Sequence, residues 1–203
     1  MAGQCLLLAA GRGTRFGSDK RRAPLSGGLS VLAATALRYS APTLPTPLAI
    51  VIGPQDASVA EHTDQSLRAA GCDRLPRWLV AQDAELGMGH SLAAAVHQLL
   101  PADPDWLLVG LGDMPFVATH TLFVLSEALA TAAPDAMVRP RYHGQSGQPV
   151  GFGAAVLPRL LELHGDAGAR SLLASAPEQV SWVDVDDAGV TRDIDRPSDL
   201  PSA

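Results

Sequence analysis

The chain has 203 residues, 47% of them hydrophobic and 18% charged, with a formal net charge of −6. That apolar content suits one compact α/β domain over residues 1–203 and excludes an intrinsically disordered chain. The acidic balance excludes sequence-independent nucleic-acid binding, which needs a basic face. The positive charge gathered at Arg12, Arg15, Lys20, Arg21 and Arg22 still allows a local site for a phosphate.

The apolar run after Gln4 is too short for a signal peptide or a membrane helix, and no other run approaches the ~20 residues that span a bilayer. No membrane association is expected. Cys5 and Cys72 stand far apart, not as a CxxC pair. They read as two free thiols in a reducing cytosol, so a cytoplasmic location is expected.

In chain order, the pattern predicts a strand at Gln4–Ala9, a helix at Ser30–Tyr39, a strand at Leu48–Ile52 and a helix at Ala57–Ala70. A strand at Trp78–Ala81, a helix at Gly89–Leu100, a strand at Trp106–Leu111 and a helix at Thr119–Ala132 follow. The C-terminal third is expected to hold strands at Ala136–Arg139, Pro149–Gly153 and Val180–Val185, with helices at Ala155–His164 and Ala169–Ser175. The first four strands are continuously apolar, as strands buried on both faces of a parallel sheet are. The alternation implies a single doubly wound, mostly parallel α/β sheet of Rossmann-like type with an antiparallel strand. Ligands of such sheets lie at the carboxyl ends of the strands, so the loops after Ala9, Ile52, Ala81 and Leu111 should line one crevice.

The first strand runs into LAAGRGTRFGSDK. Gly11, Gly13 and Gly17 let the backbone approach a ligand and turn its amides on an anion, while Arg15 and Lys20 supply charge for a triphosphate. The spacing GxGxxxG is not the dinucleotide fingerprint GxGxxG, and no acidic residue follows about 20 positions on. Nor is it a Walker A loop, since no glycine precedes Lys20 and Arg21 follows it. A plain surface turn is the remaining alternative.

Further on, WLLVGLGDMPFV places Asp113 just past an apolar strand. There it can face the crevice and bind a hard cation, or cap the next helix. Gly87 and Gly89 open an alanine-rich helix whose first turn contains Ser91, and a helix start offers amides to an anion or a base edge. Gln82 ends the preceding strand. His90 is expected to be an exposed polar residue, with a catalytic role the alternative.

The segment LAAGRGTRFGSDKRRAPL resembles the LAAGxGxRFGxxK signature of MobA-like nucleotidyltransferases, among them molybdenum cofactor cytidylyltransferases and guanylyltransferases. Three further blocks carry the resemblance on to Leu200. They are GDMP around Asp113, GQPV followed by HGDAGARSLL, and DIDRPSDL near the C-terminus. The resemblance implies that Ala9, Ala10, Gly11 and Gly13 wrap the nucleotide, with Gln82, Gly89 and Ser91 near its base and ribose. It implies that Arg15 and Lys20 hold the phosphates and that Asp113 and Asp195 bind Mg²⁺. Asp193 competes with Asp195 for the second metal position, and Asp199 reads as a cap. On the acceptor side it implies Gln148, where the family usually has His, with Asp166 and Arg170. Asp166 as a cap and Arg170 as a structural ion-pair partner are the alternatives.

The expected activity is transfer of CMP from CTP to a phosphorylated small-molecule acceptor, molybdopterin foremost, with a molybdoenzyme or its chaperone as a protein partner. GTP as donor, a sugar-phosphate acceptor, and a non-catalytic nucleotide-binding module are the alternatives.

Overall fold

The computed structural model describes residues 2–11, 16–44 and 46–201. The chain order is β1 (Gly3–Leu8), α1 (Val31–Tyr39), β2 (Leu48–Ile52), α2 (Ala57–Ala69), β3 (Arg77–Val80), α3 (Met88–Leu99), β4 (Trp106–Leu111) and α4 (Thr119–Thr131). Then come β5 (Met137–Tyr142), β6 (Gln145–Ser146), β7 (Val150–Gly153), α5 (Leu157–Leu160), α6 (Arg170–Ser175) and β8 (Val180–Asp184). The eight strands form one sheet of order β3-β2-β1-β4-β7-β5-β6, with β8 paired to β5.

The expected parallel half is present: β1 pairs in parallel with β2 and β4, and β2 with β3. β7 is the antiparallel insertion, running against both β4 and β5, while β8 runs parallel to β5. β2 lies on one side of β1 and β4 on the other, so the strand order reverses at β1. In open α/β sheets ligands bind at such a switch point.

Two apolar layers clamp the sheet. One joins Leu7, Ile50, Leu108 and Val138 to α1, α2 and α4 through Leu32, Tyr39, Leu67 and Leu125. The other joins Leu6, Val51, Leu107 and Phe152 to α3, α5 and α6 through Leu92, Val96, Leu160 and Leu172. Alternate residues of a strand point to opposite faces, which is why neighbours such as Leu6 and Leu7 belong to different layers. At Gly110 an added Cβ would lie 2.1 Å from the hydroxyl of buried Tyr39, so glycine is what admits that side chain.

The structure departs from the pattern in three places. β3 is not buried on both faces: Arg77 and Val80 are exposed, because β3 has a strand neighbour on one side only. The helix expected over Ala155–His164 is a 3₁₀ turn at Ala154–Val156 and the single turn of α5. Beyond it the backbone is captured by α3, since Gly165 accepts from the Gly89 N–H at 2.7 Å and donates to His90 Nδ1 at 3.1 Å. The short β6, absent from the sequence reading, pairs with the end of β5 across His143 and Gly144. Both turn residues have positive φ (45° and 79°), which the twist of a two-residue hairpin requires.

Candidate active site

A cleft of about 950 Å³ opens at the carboxyl ends of the parallel strands. Its floor is Leu8 to Gly11 after β1 and Leu111 to Asp113 after β4; one wall is Gly53 to Asp56 after β2. Gln82, Gly87, Met88 and Ser91 form another wall, and Asp166, Arg170, Asp193 and Asp195 form the far rim. The single crevice expected from the strand ends is therefore present.

Its centre is a charged triad. Lys20 Nζ donates to Asp113 Oδ2 at 2.6 Å and to Asp195 Oδ1 at 2.8 Å. Three remote parts of the sequence meet here, each with a local reason. Lys20 begins a 3₁₀ turn capped by Asp19, whose carboxylate accepts from the Arg21 N–H at 3.1 Å. Asp113 leaves β4 at Gly112, where an added Cβ would press on Ala9 and Leu32 at 3.0 Å. Asp195 arrives because the C-terminal segment crosses the end of β4. Ile194 N–H donates to the Asp113 carbonyl at 3.0 Å, and the Ile194 side chain is buried with Phe16, Ala23 and Val31. Asp199 caps this segment as expected, accepting from the Asp195 and Arg196 N–H groups at 3.0 and 2.7 Å. Those two bonds hold the Asp199 carboxyl below its ordinary value.

Burial raises the Asp113 carboxyl above the ordinary aspartate value despite the pull of Lys20, and the charge of Asp193 adds to the rise. Burial also draws Lys20 down, but the charges and hydrogen bonds of Asp113 and Asp195 outweigh it and lift the ammonium above its usual 10.5. Asp113 Oδ1 is buried and has no hydrogen-bond partner among the described residues. A buried carboxylate oxygen without a partner is costly unless something else satisfies it. The donors are hard oxygens from two carboxylates, and no larger His, Cys, Asp or Glu cluster occurs among the described residues. One or two carboxylates, completed by waters and substrate phosphates, suit Mg²⁺.

Arg21 carries a structural role that the sequence reading missed. It is buried and joins three segments. Its guanidinium donates to Asp19 at 2.8 and 2.9 Å, to Asp56 at 2.6 and 2.9 Å, and to the Ala9 carbonyl at 2.8 Å. Asp56, at the start of α2, also accepts from the Gly53 N–H at 3.0 Å. The loops after β1 and β2 are thus fastened to the turn that bears Lys20. Arg21 accordingly departs from the free phosphate cation expected of the basic cluster. In the sequence Arg21 stands between Lys20 and Arg22 with Asp19 close by, and that setting does not reveal its partner 35 residues away.

The other sequence-predicted residues sort cleanly. Ala9, Ala10, Gly11, Gln82 and Ser91 line the cleft with Lys20, Asp113 and Asp195. Gly13 and Arg15 lie outside the described residues, as does Arg12. Gly89 departs from the expectation of a free helix-start amide. Its N–H is bonded to Gly165, and an added Cβ would lie 2.7 Å from the His164 carbonyl. Gly87 and Met88 stand at the cleft wall instead. His90 is half-buried rather than exposed: its ring accepts from the Gly165 N–H, and it is not among the residues that line the cleft. Asp166 and Arg170 both reach the cleft rim, and Arg170 makes no ion pair among the described residues. Gln148 is not in the cleft lining. Its N–H donates to the Val190 carbonyl at 2.8 Å. The β4–β7 register, which sets Val150 opposite Val109, carries Gln148 level with Leu111 at the same end of the sheet. Cys5 and Cys72 are free thiols, and burial lifts the Cys5 thiol to about 12, too high for a nucleophile or metal ligand at neutral pH.

A mostly parallel sheet whose strand ends gather a glycine-rich loop, a lysine and paired carboxylates is the framework of a nucleotidyltransferase. A profile of the MobA-like NTP transferase domain matches residues 5–180, and the chain belongs to that family of nucleotidyltransferases. It is 29% identical over 201 residues to the purine catabolism protein PucB of Bacillus subtilis strain 168, covering 96% of this chain and 92% of that protein. The crystal structure of Rv0371c from Mycobacterium tuberculosis H37Rv superposes with a TM-score of 0.78 at 29% identity, covering 98% and 95% of the two chains. A manganese complex of Rv0371C superposes with a TM-score of 0.74 at 28% identity, covering 98% and 96%. No helix among the described residues is long and apolar enough to cross a membrane.

Proposed function

We propose that the protein is a Mg²⁺-dependent cytidylyltransferase of the cytoplasm. Acting as one domain over residues 1–203, it transfers CMP from CTP to a phosphorylated acceptor, with molybdopterin the favoured acceptor. The observation that carries the reading is the convergence of Lys20, Asp113 and Asp195 on one cleft at the tip of β1.

The residues supply positioning and charge. The backbone from Ala9 to Gly11 supports the triphosphate, and Ser91 and Gln82 stand where a base and ribose would lie. Asp113 and Asp195 would hold Mg²⁺, with Asp193 close enough to influence Asp113 but not bonded to Lys20. When bound, Mg²⁺ neutralises charge on phosphate oxygens as it develops. The manganese bound to a structural relative supports a divalent cation in this fold.

Lys20 sits between the two carboxylates, and its flexible stem lets the ammonium turn to the β and γ phosphates. A phosphate oxygen of the acceptor then attacks the α-phosphorus. A new P–O bond forms, the bond from the α-phosphorus to the bridging oxygen breaks, and pyrophosphate leaves with that electron pair. The attacking oxygen is already anionic, so no general base is needed, and the rate comes from orientation and charge stabilisation.

The test has two parts. In a thermal-shift panel of CTP, GTP, UTP and ATP with Mg²⁺, CTP should raise the midpoint most, because a ligand that binds only the folded state stabilises it. Purified protein with CTP and molybdopterin should release pyrophosphate. Equal shifts for all four nucleotides, or release with GTP alone, would remove the cytidylyl assignment and leave the nucleotidyltransferase class in place.

A further inference from the structure

A second, smaller cavity of about 270 Å³ opens beside the main cleft, lined by Arg139, Arg170, Leu173, Pro177, Val180 and Trp182 among others. Arg170, at the start of α6, is the one residue common to both cavity walls. The parallel β5–β8 register sets Arg139 directly opposite Trp182 and Arg141 opposite Asp184. All four side chains therefore share one face of the sheet.

The two strand arginines differ in partner. Arg141 makes a two-pronged ion pair with Asp184 at 2.7 and 2.9 Å. Arg139 is half-buried and has one hydrogen bond, from Nε to the Gly147 carbonyl at 3.0 Å, with no carboxylate among the described residues. Its guanidinium lies 5.8 Å from the centre of the Trp182 ring. Burial lowers the Arg139 guanidinium below the usual arginine value, and the like charge of Arg170 across the cavity lowers it further. Half-buried Arg139 and exposed Arg170 thus line one hollow that has no carboxylate among its lining residues, and such a hollow suits an anion. Beside them Trp182 is an exposed aromatic at 44% accessibility, and Leu173 and Pro177 complete an apolar wall.

We propose that this side cavity is the acceptor pocket. It takes an organic phosphate that carries a flat ring, with the anionic group between Arg139 and Arg170 and the ring face against Trp182, Leu173 and Pro177. The assignment rests on the nucleotidyl-transfer reading, because Arg170 would pass the acceptor phosphate to the main cleft. It adds Arg139 and Trp182, which the sequence reading did not single out, to the acceptor side.

The test titrates the full chain with para-nitrophenyl phosphate, a flat aryl phosphate whose ring quenches a stacked indole, and follows tryptophan emission with CTP and Mg²⁺ filling the main cleft. Saturable quenching is expected. Arg139→Gln and Arg170→Gln should each weaken it at least tenfold, Arg139→Lys should weaken it less than Arg139→Gln, and Trp182→Phe should remove most of the signal. The midpoint shift given by CTP and Mg²⁺ should be the same in Arg139→Gln as in the parent, which certifies the fold. The absence of saturable quenching in the parent, or unchanged affinity in folded Arg139→Gln, would overturn the pocket. If aryl phosphate binds as expected while CTP gives no midpoint shift, the pocket stands and the donor reading fails.

Discussion

The two halves of the sheet treat charge in opposite ways. Around β1 to β4, Arg21 is closed by Asp19 and Asp56, and Lys20 by Asp113 and Asp195, all within a few ångströms. Around β5 and β8, Arg139 and Arg170 face a hollow with no carboxylate among the described residues, and the ion pair of Arg141 is exposed. The first arrangement builds a rigid floor from three loops before any ligand arrives, as a site that positions a triphosphate requires. The second leaves cations for the ligand to satisfy. An enzyme that holds a constant donor and a particular acceptor is well served by that division.

The largest break in the comparison should come from the triad. Lys20→Ala and Asp113→Ala are each expected to lower turnover about 10³-fold, with an unchanged circular-dichroism spectrum. A folded variant with full pyrophosphate release would remove its residue from the machinery. Arg21→Met should act mainly on stability. It removes the guanidinium that both Asp19 and Asp56 accept from, and breaking a buried pair from one side costs about 3–5 kcal/mol. Asp19 is a third exposed, so the lower end is expected, read as a lower urea midpoint. Arg141→Gln, on the exposed acceptor-side pair, should leave that midpoint where it was. Equal losses in the two variants would erase the contrast between the halves.

Gly110→Ala should cost about 1–3 kcal/mol through overpacking against the Tyr39 hydroxyl, again by urea denaturation. Wild-type stability after Gly110→Ala would mean that Tyr39 moves aside freely.

The smallest effect concerns pH. The Asp113 carboxyl is held above its ordinary 3.8 by burial, so the fold favours its protonated form. The stability from that form is fully present below pH 3.8 and is lost as pH rises through the folded value. Asp113→Asn should therefore raise the thermal midpoint at pH 7 slightly while abolishing activity. Manganese affinity of the parent should fall as the solution is acidified, beginning above the pH at which an ordinary aspartate protonates. An acid limb at or below 3.8 would contradict the buried placement of Asp113.

Much of the donor half was legible because its signals are local. The continuous apolar strands Leu48–Ile52 and Trp106–Leu111 were bounded correctly, since burial on both faces leaves no polar interruption to blur them. Asp113 stood out as a charge just past such a strand, and Lys20 as a charge on the glycine-rich segment that follows β1. The stunted α5 was not legible, because two tertiary hydrogen bonds, from the Gly89 N–H to the Gly165 carbonyl and from the Gly165 N–H to His90, override a helical pattern. Nor was Arg139, for a basic residue in a strand declares its alternation but not what lies across from it.

The sequence by itself determined the doubly wound sheet, the end of it at which the cleft opens and the chemical types gathered there, because period and strand-end position follow from local order along the chain. Only the tertiary structure decided which charges meet. It brought Asp195 across 175 residues to Lys20, fastened Arg21 to Asp56, and left Arg139 facing Arg170. Pairing between remote side chains depends on helix and strand packing in three dimensions, and no spacing along one chain encodes that distance.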